Sequence, residues 1–178
     1  MPIDPDDIAP ALEQRHRDAM LDLVLAWGSL DGVLGMLLAR VLGVPFDQGA
    51  ELIGRLPSSA RLTEVRKILR DAPAGAIAAR IMKKHKRSYA QHSFARNRIA
   101  HSHCVGIWTR NRDFIVFAGF EKVEDNALAV DAIPIQQMQR ATRWGRAMTA
   151  FAFKLADAPF AEAPAEVRDE RPRPTGSG

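Results

Sequence analysis

The sequence holds one cysteine, Cys104, so no intrachain disulfide can form, and the disulfide-stapled scaffolds of oxidising compartments are excluded. The signatures of several enzyme classes are missing as well. There is no Walker A loop for a triphosphate, no Gly-x-Gly-x-x-Gly for a dinucleotide, no Gly-x-Ser-x-Gly elbow and no His-Glu-x-x-His zinc helix. The segment Met1 to Asp7 is acidic and has neither the basic start nor the apolar centre of a secretion signal, so the expected compartment is the cytoplasm. Acids are absent from one long window: none of the 21 Asp and Glu falls between Ala72 and Arg112, where nine Lys or Arg and four of the five histidines lie. The formal charge is only +4, but this segregation creates a local positive field suited to phosphate-bearing partners.

Only one apolar run is long enough to raise the question of a membrane. Leu23 to Phe46 approaches the roughly 20 residues that span a bilayer. Asp31 lies inside it and Arg40 near its end, and a carboxylate at a bilayer centre costs at least about 2.5 kcal/mol. A core helix is therefore expected, with no membrane partner. Gly28, Gly32 and Gly35 sit within it, either as tolerated weak positions or as room for another helix to approach.

The 178 residues fit one domain with a sizeable core. The spacing predicts a fold that is mainly α. Asp4-Pro5-Asp6-Asp7 reads as the start of a long helix, and Leu12, Leu23, Trp27, Leu30, Leu34 and Leu37 carry its stripe to about Leu42. A short helix from Phe46 to Leu56 follows, and Pro57-Ser58-Ser59 is expected to cap a third whose stripe is Leu62, Val65 and Leu69. A second long helix runs from about Ala76 to Ser102. The pattern then becomes β-prone on either side of Arg110 to Asp113, predicting a hairpin, or a three-stranded meander if Leu128 to Ile133 joins it. A final helix extends from near Pro134 to Ala156. Residues 1–157 form the expected domain, and 158–178, rich in proline and alternating charge, the expected disordered tail.

Chemistry concentrates on the second long helix. Tyr89, Ser93, Asn97 and His101 recur every four residues and share a face, with Arg96 on the adjacent stripe. Histidine exchanges a proton near neutral pH, and arginine is a fixed cation that grips phosphate oxygens. Together they supply proton transfer and anion stabilisation without a metal or other cofactor. His101, His103 and Cys104 are too few for a zinc site without a second pair at ligand spacing. Lys83, Lys84, Lys86, Arg87 and Arg98 could track a nucleic-acid backbone; otherwise they form a solvated helix face. Asp31, buried in an apolar helix, needs a basic partner unless it faces solvent, and Arg96 is a candidate.

The run Arg96-Asn97-Arg98-Ile99-Ala100-His101 resembles the Arg-x4-6-His signature of HEPN domains, with the polar residue that typically follows the arginine. The resemblance implies an up-and-down helical bundle with the motif near the end of a long helix. It implies a homodimer whose two motifs meet in a cleft, and RNA cleavage by attack of the ribose 2′-hydroxyl on the adjacent phosphate. Arg96 would bind phosphate, His101 act as general acid or base, and Asn97 orient one of them; Asp31, Tyr89, Ser93 and His103 would support the site. Such proteins serve as toxins, with an antitoxin partner, or in phage defence. The alternative is a non-catalytic helical dimer that binds nucleic acid or a protein partner, with Arg96 paired to a carboxylate. A hairpin directly after the motif is not a general feature of the family.

Overall fold

The computed structural model describes residues 3–72, 75–122 and 128–157. Five helices occur among them: α1 (Gln14–Leu42), α2 (Phe46–Gly54), α3 (Ser58–Asp71), α4 (Ala76–His101) and α5 (Ile135–Ala156). Four strands, β1 (Ile8–Ala9), β2 (His103–Trp108), β3 (Phe114–Lys122) and β4 (Leu128–Pro134), form an antiparallel sheet in the order β1-β2-β3-β4. The expected tail beyond residue 157 lies outside the described residues.

α1 organises the core. Leu23, Leu30, Leu34 and Leu37 are fully buried and Trp27 nearly so, in line with their helical spacing. Gly43 ends the helix in the left-handed conformation (φ 65°), its N–H returning to the carbonyls of Ala39 and Arg40. The inner stripes of α3 (Leu62, Val65, Leu69) and α5 (Met138, Ala141, Met148, Ala152) close on the same cluster. α1 is long and apolar enough to cross a membrane by composition, with a mean hydropathy of 1.6 in its most apolar window, yet one side of it is the centre of this core.

Three expectations need correction. The long helix does not start at the acidic N-terminus. Asp4 instead caps a single 3-10 turn over Pro5–Asp7, β1 follows, and α1 begins after Glu13. Pro10 explains this, because its missing N–H and fixed φ favour an extended approach. Second, Ser58 does not cap α3: Pro57 occupies the cap position and the Ser58 hydroxyl turns to Asp31. Third, the sheet has four strands, because β1 pairs Ile8 with Trp108 and Ala9 with Ile107 beyond the meander. Among the described residues no helix approaches Gly28 or Gly32, where an added Cβ would meet nothing within 4 Å.

The sheet joins the bundle through Ile115, Phe117 and Ile133 in the core, and two polar contacts fix its position. His16, fully buried, accepts from the Glu13 amide at Nδ1 and donates from Nε2 to the Arg112 carbonyl at 2.7 Å, so the neutral ring ties α1 to the β2–β3 turn. Arg98 of α4 grips Asp131 of β4, with Nε 2.7 Å from Oδ2. Trp108 and Phe114 pack edge to face on one another at 5.9 Å, as packing residues do.

Candidate nucleic-acid interface

The window without acids becomes α4, β2 and the turn that follows. Its first half presents Lys83, Lys84, Lys86 and Arg87 to solvent. No described ion pair involves any of the four, so their charge remains available for a polyanion. Two turns further along the helix, Ala90, Ser93, Phe94, Asn97, Arg98 and His101 line an open groove of about 460 Å³. The stripe read from the sequence thus supplies Ser93, Asn97 and His101 to one concave surface. Asn97 and His101 are exposed, whereas Ser93 is buried and its hydroxyl donates to the Ala90 carbonyl.

Arg96 belongs to a different cluster. Its Nη2 lies 3.6 Å from Oδ2 of Asp31 on α1, an ion pair in which both side chains are about a third exposed, at 33% and 29%. Asp31 also accepts from the hydroxyl of Ser58 at the first turn of α3, where the helix dipole favours a carboxylate. Arg61 donates from Nη1 to the Asp31 carbonyl at 2.7 Å and from Nη2 to Gly54 at 2.9 Å. The Tyr89 phenol joins through Ser58, and its pKa is pushed up, mainly by burial. The need of Asp31 for a basic partner is met by Arg96, while Ser58 and Arg61 were not anticipated as parts of the site. Nothing local in the sequence pointed to either, since both meet Asp31 only through the packing of α3 on α1.

Asn97 connects the cluster and the groove. Its Oδ1 accepts from Arg96 Nη1 at 3.3 Å while the residue itself lines the groove with His101. Arg96 and His101 are five residues apart and therefore project about 140° apart around the helix axis. Within one chain they do not share a surface. Arg98, expected to bind nucleic acid, is instead engaged by Asp131 and lies 5.4 Å over the Phe94 ring. His103 is exposed at the start of β2, outside the groove lining.

The other face of α4 packs on α5 through an aromatic cluster. Trp144 stacks on Trp27 at 5.4 Å and on His92 at 5.2 Å, with Tyr89 edge-on at 5.9 Å, and its indole N–H donates to Ser88. Burial holds both His85 and His92 below the ordinary histidine range, with Lys84 adding to the effect at His85. These two histidines are therefore packing residues that stay neutral. The Cys104 thiol is pushed up by burial, which makes it a poor nucleophile.

Comparison with family models, curated proteins and solved structures finds no match to this chain. What the fold and the site define is a mainly helical protein with an exposed basic helix leading into an Asn/His groove.

Proposed function

We propose that this protein acts on RNA through the outer face of α4, as an endoribonuclease of HEPN type that needs no metal and is built from two copies in the cytoplasm. The observation that carries the reading is the continuity of α4: four cations with no ion pair among the described residues run into a groove that presents Asn97 and His101. The cations hold the phosphate backbone and set its path. His101 then moves protons as the ribose 2′-hydroxyl attacks the adjacent phosphorus and the 5′-oxygen departs, leaving a 2′,3′-cyclic phosphate and a 5′-hydroxyl. The 140° between Arg96 and His101 gives the second copy a role, because a phosphodiester can meet a guanidinium and an imidazole together only where two motifs converge. A toxin or phage-defence role would suit such chemistry, with an antitoxin as a further partner.

A second reading is a helical dimer that binds nucleic acid, or a protein, without turnover. It is favoured by the Arg96–Asp31 pair, which already balances the arginine's charge. The two readings separate in one experiment. Single-stranded RNA is incubated in EDTA with wild type, His101→Ala and Asn97→Ala, and binding is measured alongside as a function of salt. The nuclease reading expects cleavage by wild type, a loss of about 100-fold or more in His101→Ala, and binding retained in all three. Salt-dependent binding without cleavage leaves the second reading, and equal cleavage by all three removes the first.

A further inference from the structure

The solvent face of α1 carries an apolar stripe with no partner among the described residues. Between Val24 and Met36 its solvent-facing positions carry no charge, and the only ionised residue in that stretch, Asp31, turns toward Ser58 and Arg96. The exposed stripe consists of Leu21 (58% exposed), Val24, Leu25 (59%), Gly28, Gly32 and Met36, with Ser29 at its edge, just over four helical turns of uncharged surface. Solvent-exposed helix faces of soluble chains are ordinarily polar, and a contiguous apolar patch marks an interaction site. The two glycines lie on this face four residues apart, and nothing stands within 4 Å of a Cβ at either one. Beside them lies a hollow of about 190 Å³ between α1 and α2, floored by the small residues Gly32, Gly35, Ala39, Gly49 and Ala50 and walled by Met36, Ile53 and Arg61.

We infer that this stripe is the contact with a second copy of the chain, α1 against α1 in antiparallel orientation about a two-fold axis midway between Gly28 and Gly32. Such an axis pairs each position with the one equally far on the other side of residue 30. Leu25 of one copy then falls opposite Gly35 of the other, at the mouth of the hollow beside Met36 and the stem of Arg61, whose guanidinium would stand 3.4 Å from a Cβ at Gly35. Met36 falls opposite Val24. Arg40, exposed at one end of the stripe, comes within a turn of Asp22 at the other, which already holds Arg146 of its own chain at 3.1 Å but stays 58% exposed, so unlike charges meet at the rim in this orientation and like charges in the parallel one. The glycines at the crossing allow the backbones to approach closely. The same patch meets itself, as an isologous interface requires.

The pairing rests on the two-copy reading of the site only in its consequence. Asp31 follows Gly28 by one helical turn and lies on the flank of the stripe, next to the two-fold level. A two-fold axis perpendicular to both helices keeps that flank of each copy on the same side, so both Asp31–Arg96 pairs border the axis together.

Sedimentation equilibrium of the full chain without RNA tests the surface, and the nuclease assay is read separately. The expected mass is twice 19.7 kDa. Gly28→Gln and Gly32→Gln give the diagnostic pair. Each side chain has open space in the single chain and a better helix former than glycine, so secondary structure is kept and the melting temperature of the separated chain is not lowered. Each fills the crossing point, so the dimer dissociates at least tenfold more readily. Arg40→Asp weakens association, and adding Asp22→Arg restores it. Leu52→Asp, on an exposed α2 position outside the stripe, leaves association unchanged. A monomeric wild type, or a dimer indifferent to both glutamines, overturns the inference. A dimer that cleaves no RNA keeps this surface and sinks the nuclease reading, whereas a dimer that cleaves but is indifferent to both glutamines keeps the nuclease reading and sinks this surface; a cleaving monomer overturns both.

Discussion

His101 and His92 show how two histidines on one helix come to different work. His92 lies against Trp144 and, with His85, is held neutral by burial, whereas His101 is exposed in the groove with Asn97. These two half-buried rings make the fold sensitive to acid. The unfolded chain protonates these imidazoles near their ordinary value of about 6.5, while the folded chain resists until a lower pH. Below that ordinary value the unfolded state holds more protons. The stabilisation is therefore complete above about pH 7, declines as pH falls through the ordinary value, and is fully lost below the depressed one. Thermal melts between pH 7.5 and 5 should show a falling melting temperature, and the double variant His85→Gln/His92→Gln should flatten the slope. An unchanged slope would mean that other groups govern the acid response.

At the scale of the element, the short strand β1 depends on one backbone position. Gly106, at φ 150° where the β2–β3 register shifts between Cys104 and Gly106, packs against the carbonyl of Ala9, where a Cβ would stand 2.1 Å from the oxygen. Gly106→Ala must push β1 away or distort β2, at a cost of about 2 kcal/mol or more. Chemical denaturation would register it as a lower midpoint, and a midpoint within about 0.5 kcal/mol of wild type would contradict the account. β1 itself could not be read from the sequence, since two residues before a proline carry no periodicity. The long helices could, because Leu23 to Leu37 and Leu62 to Leu69 repeat at helical spacing over several turns. The Asn97–His101 half of the site was legible for the same reason, being one face of one helix. The partners of Asp31 and Arg98 were legible only in part, because they come from α3, α4 and β4, and long-range packing leaves no local pattern.

Across the whole molecule, charge and apolar surface are divided among different faces. α4 offers cations and the groove, α1 offers an uncharged stripe, and the sheet is tied to both through His16 and Arg98. If α4 is the path of an RNA backbone, its four exposed cations set the salt dependence of binding. For a single strand each phosphate contact contributes about 0.7 to the slope of log affinity against log salt. Lys83→Ala/Lys86→Ala should reduce that slope by about 1.4 with no change in melting temperature, and an unaltered slope would move the path elsewhere.

If the imidazole of His101 transfers protons at a bound phosphodiester, the ends it leaves on RNA carry its mark. That proton transfer is tested most directly by mass analysis of the ends left on a single-stranded RNA after incubation with wild type or His101→Ala in EDTA. The account predicts 2′,3′-cyclic phosphate ends with wild type, reduced about 100-fold or more with the variant. Ends of any other kind, or the same yield of cyclic phosphate from both proteins, would contradict it.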